Sequence, residues 1–328
     1  MMNYLYYNIG FHKCNCKKKS FVVKYPKVIY MKQKLQGSIS LLLATVIWGG
    51  AFVAQSAGMA HIGPFTFQAV RCFLAVLALV LVIALLEIHD LKSFIRRWAD
   101  KQLWKAGLIC GLALFVSTSL QQIGLVDTDA GKAGFITAMY IVIVPILGLF
   151  IGRKTSVAAV FSILLAVVGM YLLCCAGVTQ IGTGDLLILG CAVAFAVQIL
   201  LVDVFAPSVD PLRLNTVQAL VVAVLSALFM FATETPDMDL ITSCWLPLTY
   251  AGVLSMGAAY SLQIIGQKKL EPTAASLIMS LESVFAVLFG SLILHETMTL
   301  WESMGCVLVF AAVILSQIPI QKKAKALS

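Results

Sequence analysis

From residue 37 to residue 318 the chain repeats one pattern: about twenty apolar residues, then a short polar break. Ten such runs can be read, at 37–59, 64–86, 105–125, 131–150, 155–175, 184–204, 211–232, 243–266, 272–294 and 298–318. A helix rises roughly 1.5 Å per residue, so about 20 residues cross the hydrocarbon core of a bilayer. Within that core every backbone N–H and C=O must be satisfied inside the protein, which selects the α-helix for single runs of this kind. The expected fold is an all-α polytopic membrane protein with ten transmembrane helices. Charged residues make up only 12% of the sequence, against about 25% in a soluble domain, and mean hydropathy is +0.98. These values exclude a large soluble catalytic domain, a nucleic-acid-binding module and a secreted disulfide scaffold.

The charges orient the spans. If the N-terminus is inside, 21 of the 23 basic residues fall on inside segments, including Lys92, Arg96, Arg97, Lys101 and Lys105 between spans 2 and 3. The exceptions are Lys132, in an outer loop, and Arg71, within span 2. The outer loops carry acids instead, among them Asp127, Asp185, Glu234, Asp237 and Glu296. Cytoplasmic loops are enriched in Lys and Arg, so both termini are expected in the cytoplasm, in a cell membrane of the bacterial inner-membrane type. The net charge of +8 thus follows from topology and does not imply nucleic acid.

Residues 1–36 form a basic, aromatic N-terminal tail without the apolar core of a signal peptide. Met31, followed by Lys32 and Lys34, is the expected start, with residues 1–30 a disordered tail or an over-extended reading frame. Residues 319–328 form the C-terminal tail. Seven of the nine cysteines lie in or beside apolar runs, where Cys behaves as a small hydrophobe. Cys14-x-Cys16, beside Lys17 to Lys19, supplies two ligands where a structural zinc site takes four.

The two halves of the chain match. Pro64-Phe-Thr-Phe-Gln-Ala-Val70 aligns with Pro211-Leu-Arg-Leu-Asn-Thr-Val217 at a spacing of 147 residues. Ser119-Leu-Gln-Gln-Ile-Gly124 aligns with Ser261-Leu-Gln-Ile-Ile-Gly266 at 142, five of six positions being identical. The chain therefore divides into repeats at 37–175 and 184–318. Each repeat holds five spans, an odd number, so the second enters the membrane from the opposite side. Arg153-Lys154, ending span 4 inside, becomes His295-Glu296, ending span 9 outside. Inverted repeats recur in secondary transporters, whose substrate sites lie near the midplane between them.

Ile47-Trp-Gly-Gly-Ala-Phe52 and Ala274-Ala-Ser-Leu-Ile-Met-Ser-Leu-Glu-Ser283 resemble the EamA family of the drug/metabolite transporter superfamily. Leu292-Ile-Leu-His-Glu-Thr-Met-Thr299 resembles the family's acidic signature, with Glu296 at its acid. Ser283 departs from the family pattern, which often has proline after the glutamate in the second repeat. The resemblance covers about 37–318 and implies transport of small organic solutes.

Ionisable groups within the membrane are expensive and are functional candidates. Glu282 lies about ten residues into span 9, too deep for a short side chain to reach the interface, and is the proton-coupling candidate; its bland alternative is a protonated acid bonded to a neighbouring helix. Arg71 lies about seven residues into span 2. It either snorkels to the outer headgroups, binds an anion or pairs with Glu282. Gln121 and Gln263 hold matching places in spans 3 and 8, with Gln122 and Tyr260 nearby, and either line a shared cavity or tie helices together. Tyr140 is the repeat mate of Glu282. Trp48 either stacks on a substrate or packs. Gly107-x-x-x-Gly111 and Gly148-x-x-x-Gly152 are read as close helix approaches, and Pro145 as a kink in span 4.

Ala130-Gly-Lys-Ala133 lacks both the upstream glycine and the following Ser/Thr of a phosphate-binding loop. Metal motifs are missing from the sequence, and no cofactor is implied. The reading is a secondary transporter, not an enzyme, that exports a small organic metabolite, an amino acid-like solute or drug, through a midplane cavity by alternating access. It would work as a monomer in the lipid bilayer, proton-coupled through Glu282. The alternative is a membrane-embedded enzyme acting on a lipid or isoprenoid, which requires clustered catalytic groups at one membrane face.

Overall fold

The computed structural model describes residues 21–128, 130–153, 155–174, 182–294 and 299–317. Cys14 and Cys16, the His295-Glu296 pair and the tail 319–328 lie outside the described residues.

The described residues are helical and contain no strand. The first repeat comprises α1 (Phe21–Met59), α2 (Pro64–Leu86), α3 (Leu91–Trp98), α4 (Lys101–Gly124), α5 (Ala130–Ala138), α6 (Tyr140–Phe150) and α7 (Val157–Cys174). The second comprises α8 (Thr183–Phe205), α9 (Pro211–Thr233), α10 (Met238–Ser243), α11 (Trp245–Thr249), a π-helical segment (Tyr250–Ala259), α12 (Tyr260–Gln267), α13 (Pro272–Met279), α14 (Leu281–Leu294) and α15 (Leu300–Gln317). Eight continuous or jointed helices are long and apolar enough to cross a membrane, and the shorter apolar stretches Val157–Leu172 and Leu300–Ser316 supply the fifth and tenth spans. The molecule is a polytopic membrane protein of two inverted five-helix repeats.

Local sequence sets the helix ends. Proline opens α2, α9 and α13, where its missing N–H has no intrahelical partner to lose. α1 begins well before residue 37, because the stretch around Lys32-Gln-Lys-Leu-Gln36 consists of good helix formers. At the end of α6, Gly152 takes φ 78°. The Arg153 N–H donates to Gly148 O at 2.9 Å and the Gly152 N–H to Leu149 O at 3.1 Å, the bonding of a Schellman stop. Gly148-x-x-x-Gly152 is therefore a helix terminator and not a helix-packing face, a correction to the sequence reading. Gly107 and Gly111 do behave as read: a Cβ at either would strike Val217 or Val221 of α9.

Spans 4 and 9 each have a one-residue break in regular α-helical bonding, with the backbone kept in the helical region. The break falls at Met139 in one and at Ser280 in the other, within one residue of equivalent places. It lies six residues before Pro145, which sits inside an otherwise continuous α6. Helix contacts obey the repeat. α2 packs on its own counterpart α9, and α7 on its counterpart α15. The α1–α14 contact is matched by α8 with α5 and α6, and the α4–α8 contact by the π segment and α12 with α1. A Cβ on Gly184 would lie 2.8 Å from Gly124 O, and one on Gly37 would lie 3.1 Å from Gly266 O. Those two crossings involve corresponding residues at the same spacings of 147 and 142.

Hydrogen bonds repeat as well. Gln68 Nε2 donates to Ser119 Oγ at 2.9 Å, and its counterpart Asn215 donates from Nδ2 to Ser261 Oγ at 2.9 Å. At the acidic face, Glu234, just past the end of α9, accepts from the Phe65 and Thr66 N–H groups at 2.8 Å and from Thr66 Oγ1 at 2.6 Å. At the basic face its counterpart Glu87, just past α2, accepts from Arg213 at the start of α9. The antiparallel α2–α9 pair is thus clasped by a glutamate at each end.

Candidate functional site

The broken spans bring polar groups into the apolar core. At both breaks the backbone stays in the helical region, Met139 at φ −58°, ψ −13° and Ser280 at φ −62°, ψ −13°, so each span changes its hydrogen bonding there without unwinding. Beside the two breaks, among α1, α2, α4, α8, the π segment and α12, lies a narrow cavity, with about 520 Å³ of empty space when its opening to solvent is included. All seven candidates read from the sequence, Trp48, Arg71, Gln121, Tyr140, Tyr260, Gln263 and Glu282, line it.

Much of its wall consists of repeat mates. Trp48 faces it with Phe195, Phe52 with Ile199, Gln121 with Gln263, Thr137 with Met279 and Tyr140 with Glu282. The Tyr140 hydroxyl donates to Glu282 Oε1 at 3.0 Å. Trp48 and Tyr260 meet edge to face, ring centroids 5.0 Å apart. Gln121 Nε2 donates to Thr137 Oγ1 at 3.2 Å, and Gln263 Nε2 donates to Gln198 Oε1 at 3.2 Å. The two glutamines thus hold equivalent places with different partners.

Arg71 is only 3% exposed, so it does not reach the headgroups. Among the described residues it forms no ion pair, with Glu282 or with any other carboxylate. Its Nη1 donates to Gln55 Oε1 at 2.6 Å, and the guanidinium lies 5.7 Å from the ring centroid of Phe67. Gln55 is itself fixed, its Nε2 donating to Ala51 O at 3.1 Å. Arg71 Nε, Trp48 Nε1 and Gln263 Oε1 are buried without a hydrogen-bond partner. The cavity therefore presents a cation and two unengaged donors alongside a carboxylate and an amide acceptor, within aromatic walls.

The sequence reading did not single out Gln55, Thr137, Phe195, Ser255 or Met279. Gln55 carried a usable signal, an amide inside an apolar run. The apolar members carried none, because their facing depends on helix rotation. Spans 4 and 6 are further joined by Lys132–Asp185 at the acidic face and Arg153–Asp203 at the basic face, pairings between residues about fifty positions apart. No group of three His, Cys, Asp or Glu side chains among the described residues could hold a metal ion.

Comparison with known proteins agrees with this architecture. The model of the EamA-like transporter family matches residues 35–175 and 182–317. A protein of Archaeoglobus fulgidus named an uncharacterized transporter is 30% identical over 298 residues, covering 88% of this chain and 91% of its own. Uncharacterized transporter YoaV of Bacillus subtilis is 22% identical, over 85% and 95% of the two chains. A WAT1-related chloroplastic protein of Arabidopsis thaliana is 26% identical, over 83% and 67%. A solved structure titled only "Crystal structure of protein" superposes with a TM-score of 0.72 at 18% identity, covering 86% of this chain and 96% of that one, a likeness of fold.

Proposed function

Since the chain belongs to the EamA-like transporter family, we propose that it is a secondary transporter moving a small organic metabolite, an amino acid-like solute or drug, through the cavity between its two repeats. The observation that carries this reading is the contact between the repeat mates Tyr140 and Glu282 in the cavity wall. Two residues related by a twofold axis touch only on that axis. A cavity at this contact is positioned to open to either face when one repeat rocks against the other.

Export is the direction, with both termini in the cytoplasm of a cell of bacterial type and the protein working as a monomer. Glu282 carries the coupling proton. The positive-inside rule supports the orientation, and a carboxylate buried in the wall of the solute path supports the coupling. The polar cavity deep among the helices favours a transporter over a membrane enzyme, since charged groups at the two faces pair with one another.

The test is solute flux in proteoliposomes with the purified full chain, driven by an imposed pH gradient. Gradient-driven flux in wild type that is lost in Glu282→Gln, with counterflow exchange retained, supports the reading. Flux indifferent to Glu282→Gln, Tyr140→Phe and Trp48→Ala alike would place the path elsewhere.

A further inference from the structure

We propose that Arg71 is the carboxylate receptor of this cavity, held in position by Gln55, and that the transported solute bears one carboxylate. The proposal rests on the reading that the cavity is the solute site.

A guanidinium buried to this extent is costly unless its charge and its donors are engaged. Here one donor goes to the Gln55 amide oxygen, a neutral partner, and the ring face of Phe67 supplies a weak attraction. Neither neutralises the charge, and the Nε edge has no protein partner. Gln55 is tied down through its own Nε2, which turns its oxygen toward Nη1 and fixes the plane of the fork. A held guanidinium with a free Nε edge matches the two oxygens of a carboxylate. Trp48 Nε1, a second buried and unengaged donor on the same wall, adds a third N–H.

The number of charges sets the class. Among the described residues, Arg71 is the only cation lining the cavity. When Glu282 holds its proton, one cation balances a monoanionic carboxylate, whereas a phosphate dianion would leave an uncompensated charge in a low-dielectric site. Arg71 also breaks the repeat: its counterpart Gln218 donates to Asn215 Oδ1 at 2.9 Å within its own helix and does not line the cavity. The inverted symmetry therefore does not require this cation, and a task within the cavity does. The acceptors Glu282 and Gln263 Oε1 leave room on the same wall for a donor group of the solute.

The experiment measures thermal stabilisation of the full chain in detergent. The probes are the twenty L-amino acids and a set of simple hydroxy and keto acids, each paired with its own carboxamide. The expected result is stabilisation by one or more acids, with the matching amide at least tenfold weaker. Arg71→Gln should erase that acid-over-amide preference, Arg71→Lys should retain part of it, and Gln55→Leu should reduce it. The wild-type acid-to-amide ratio needs no variant, so a folding defect in Arg71→Gln does not shield the proposal. Equal binding of acid and amide that is still weakened by Trp48→Ala or Glu282→Gln would overturn the carboxylate role and leave the cavity as the solute site. Binding indifferent to Arg71→Gln, Trp48→Ala and Glu282→Gln would overturn both. Stabilisation by amides alone, or by no member of the panel, would overturn the carboxylate role.

Discussion

The Tyr140 hydroxyl donates to Oε1 of Glu282 at 3.0 Å across 142 residues of chain, and that separation is the repeat spacing of the helices that carry them. The bond marks the pseudo-twofold axis. The two halves have diverged at this point into a donor and an acceptor: two tyrosines would lack the acidic partner, and two glutamates would repel if both were ionised. The inverted duplication has thus produced a complementary pair at its own centre, one residue beyond the break at Met139 and two beyond the break at Ser280.

If the pair acts as one unit, its variants are not additive. Glu282→Gln should cut flux driven by a pH gradient to a small residual rate, and Tyr140→Phe should slow it by a smaller factor. The double variant should be no slower than Glu282→Gln alone, a non-additivity typical of residues in contact. Proteoliposome flux across the four proteins measures this. A double variant slower by the product of the two single effects would show that the residues act separately.

The Glu234 clasp gives a stability prediction at the acidic face. Three hydrogen bonds converge on its carboxylate from the start of α2, where helix N–H groups lack intrahelical partners. Glu234→Ala should destabilise the protein by about 0.5 to 2 kcal/mol, the range for loss of an N-terminal cap. Thr66→Val removes only the side-chain donor and should cost less. Thermal or denaturant unfolding in detergent reads both, and equal losses would mean that the backbone bonds contribute little.

Much of this structure can be read in the sequence because the bilayer imposes strong rules. Spans follow from apolar run length, and inversion from an odd number of spans. The seven cavity residues follow from polar or aromatic groups placed at mid-depth or at matched repeat positions. What escaped reading depends on geometry that composition does not carry. The breaks at Met139 and Ser280 have no proline or glycine to announce them, while Pro145 draws attention to the wrong place. Gly148 and Gly152 have the spacing of a packing motif, yet hydrogen bonding and a positive φ make them a helix stop. The partners of Arg71 depend on the rotation of α1 and α2, which brings Gln55 and not Glu282 to the guanidinium.

At the basic face, acid should weaken the α2–α9 clasp. Hydrogen bonding from Arg213 holds the Glu87 carboxyl below its ordinary value, with the charges of Arg213 and Arg97 adding to it against burial and the nearby Asp90. A carboxyl lowered in the folded state stabilises the protein above its unfolded value, about 4.3, and that contribution fades as pH falls through the lower folded value. Glu87→Gln should therefore flatten the decline of melting temperature below about pH 4.3. Arg213→Gln should also destabilise at neutral pH, since it removes a side chain packed over Phe94 and Trp98. The loss should fall short of the roughly 3–5 kcal/mol of a fully buried pair, because Glu87 keeps 16% of its side-chain exposure. A Glu87→Gln profile parallel to wild type through the acid range would remove the clasp from the account.

Glycine substitutions separate two physical reasons for having no side chain. At Gly124 an added Cβ would meet Ile188 at 2.5 Å and Gly184 O at 2.8 Å, and at Gly184 it would meet Gly124 O at 2.8 Å. A backbone oxygen cannot swing aside, so Gly124→Ala and Gly184→Ala must push α4 and α8 apart. The matching contact of Gly37 with Gly266 O is looser, at 3.1 Å, so Gly37→Ala should cost less than either. Gly152 differs, because a Cβ there would touch nothing within 4 Å and the penalty arises from φ 78° alone. Gly152→Ala should cost about 1 to 2 kcal/mol, the price of a left-handed conformation, and Gly152→Asn should recover part of it because asparagine tolerates that region. Melting temperatures of the purified variants give the ranking. If Gly152→Asn melted no higher than Gly152→Ala, or Gly37→Ala lower than Gly184→Ala, these assignments would fail.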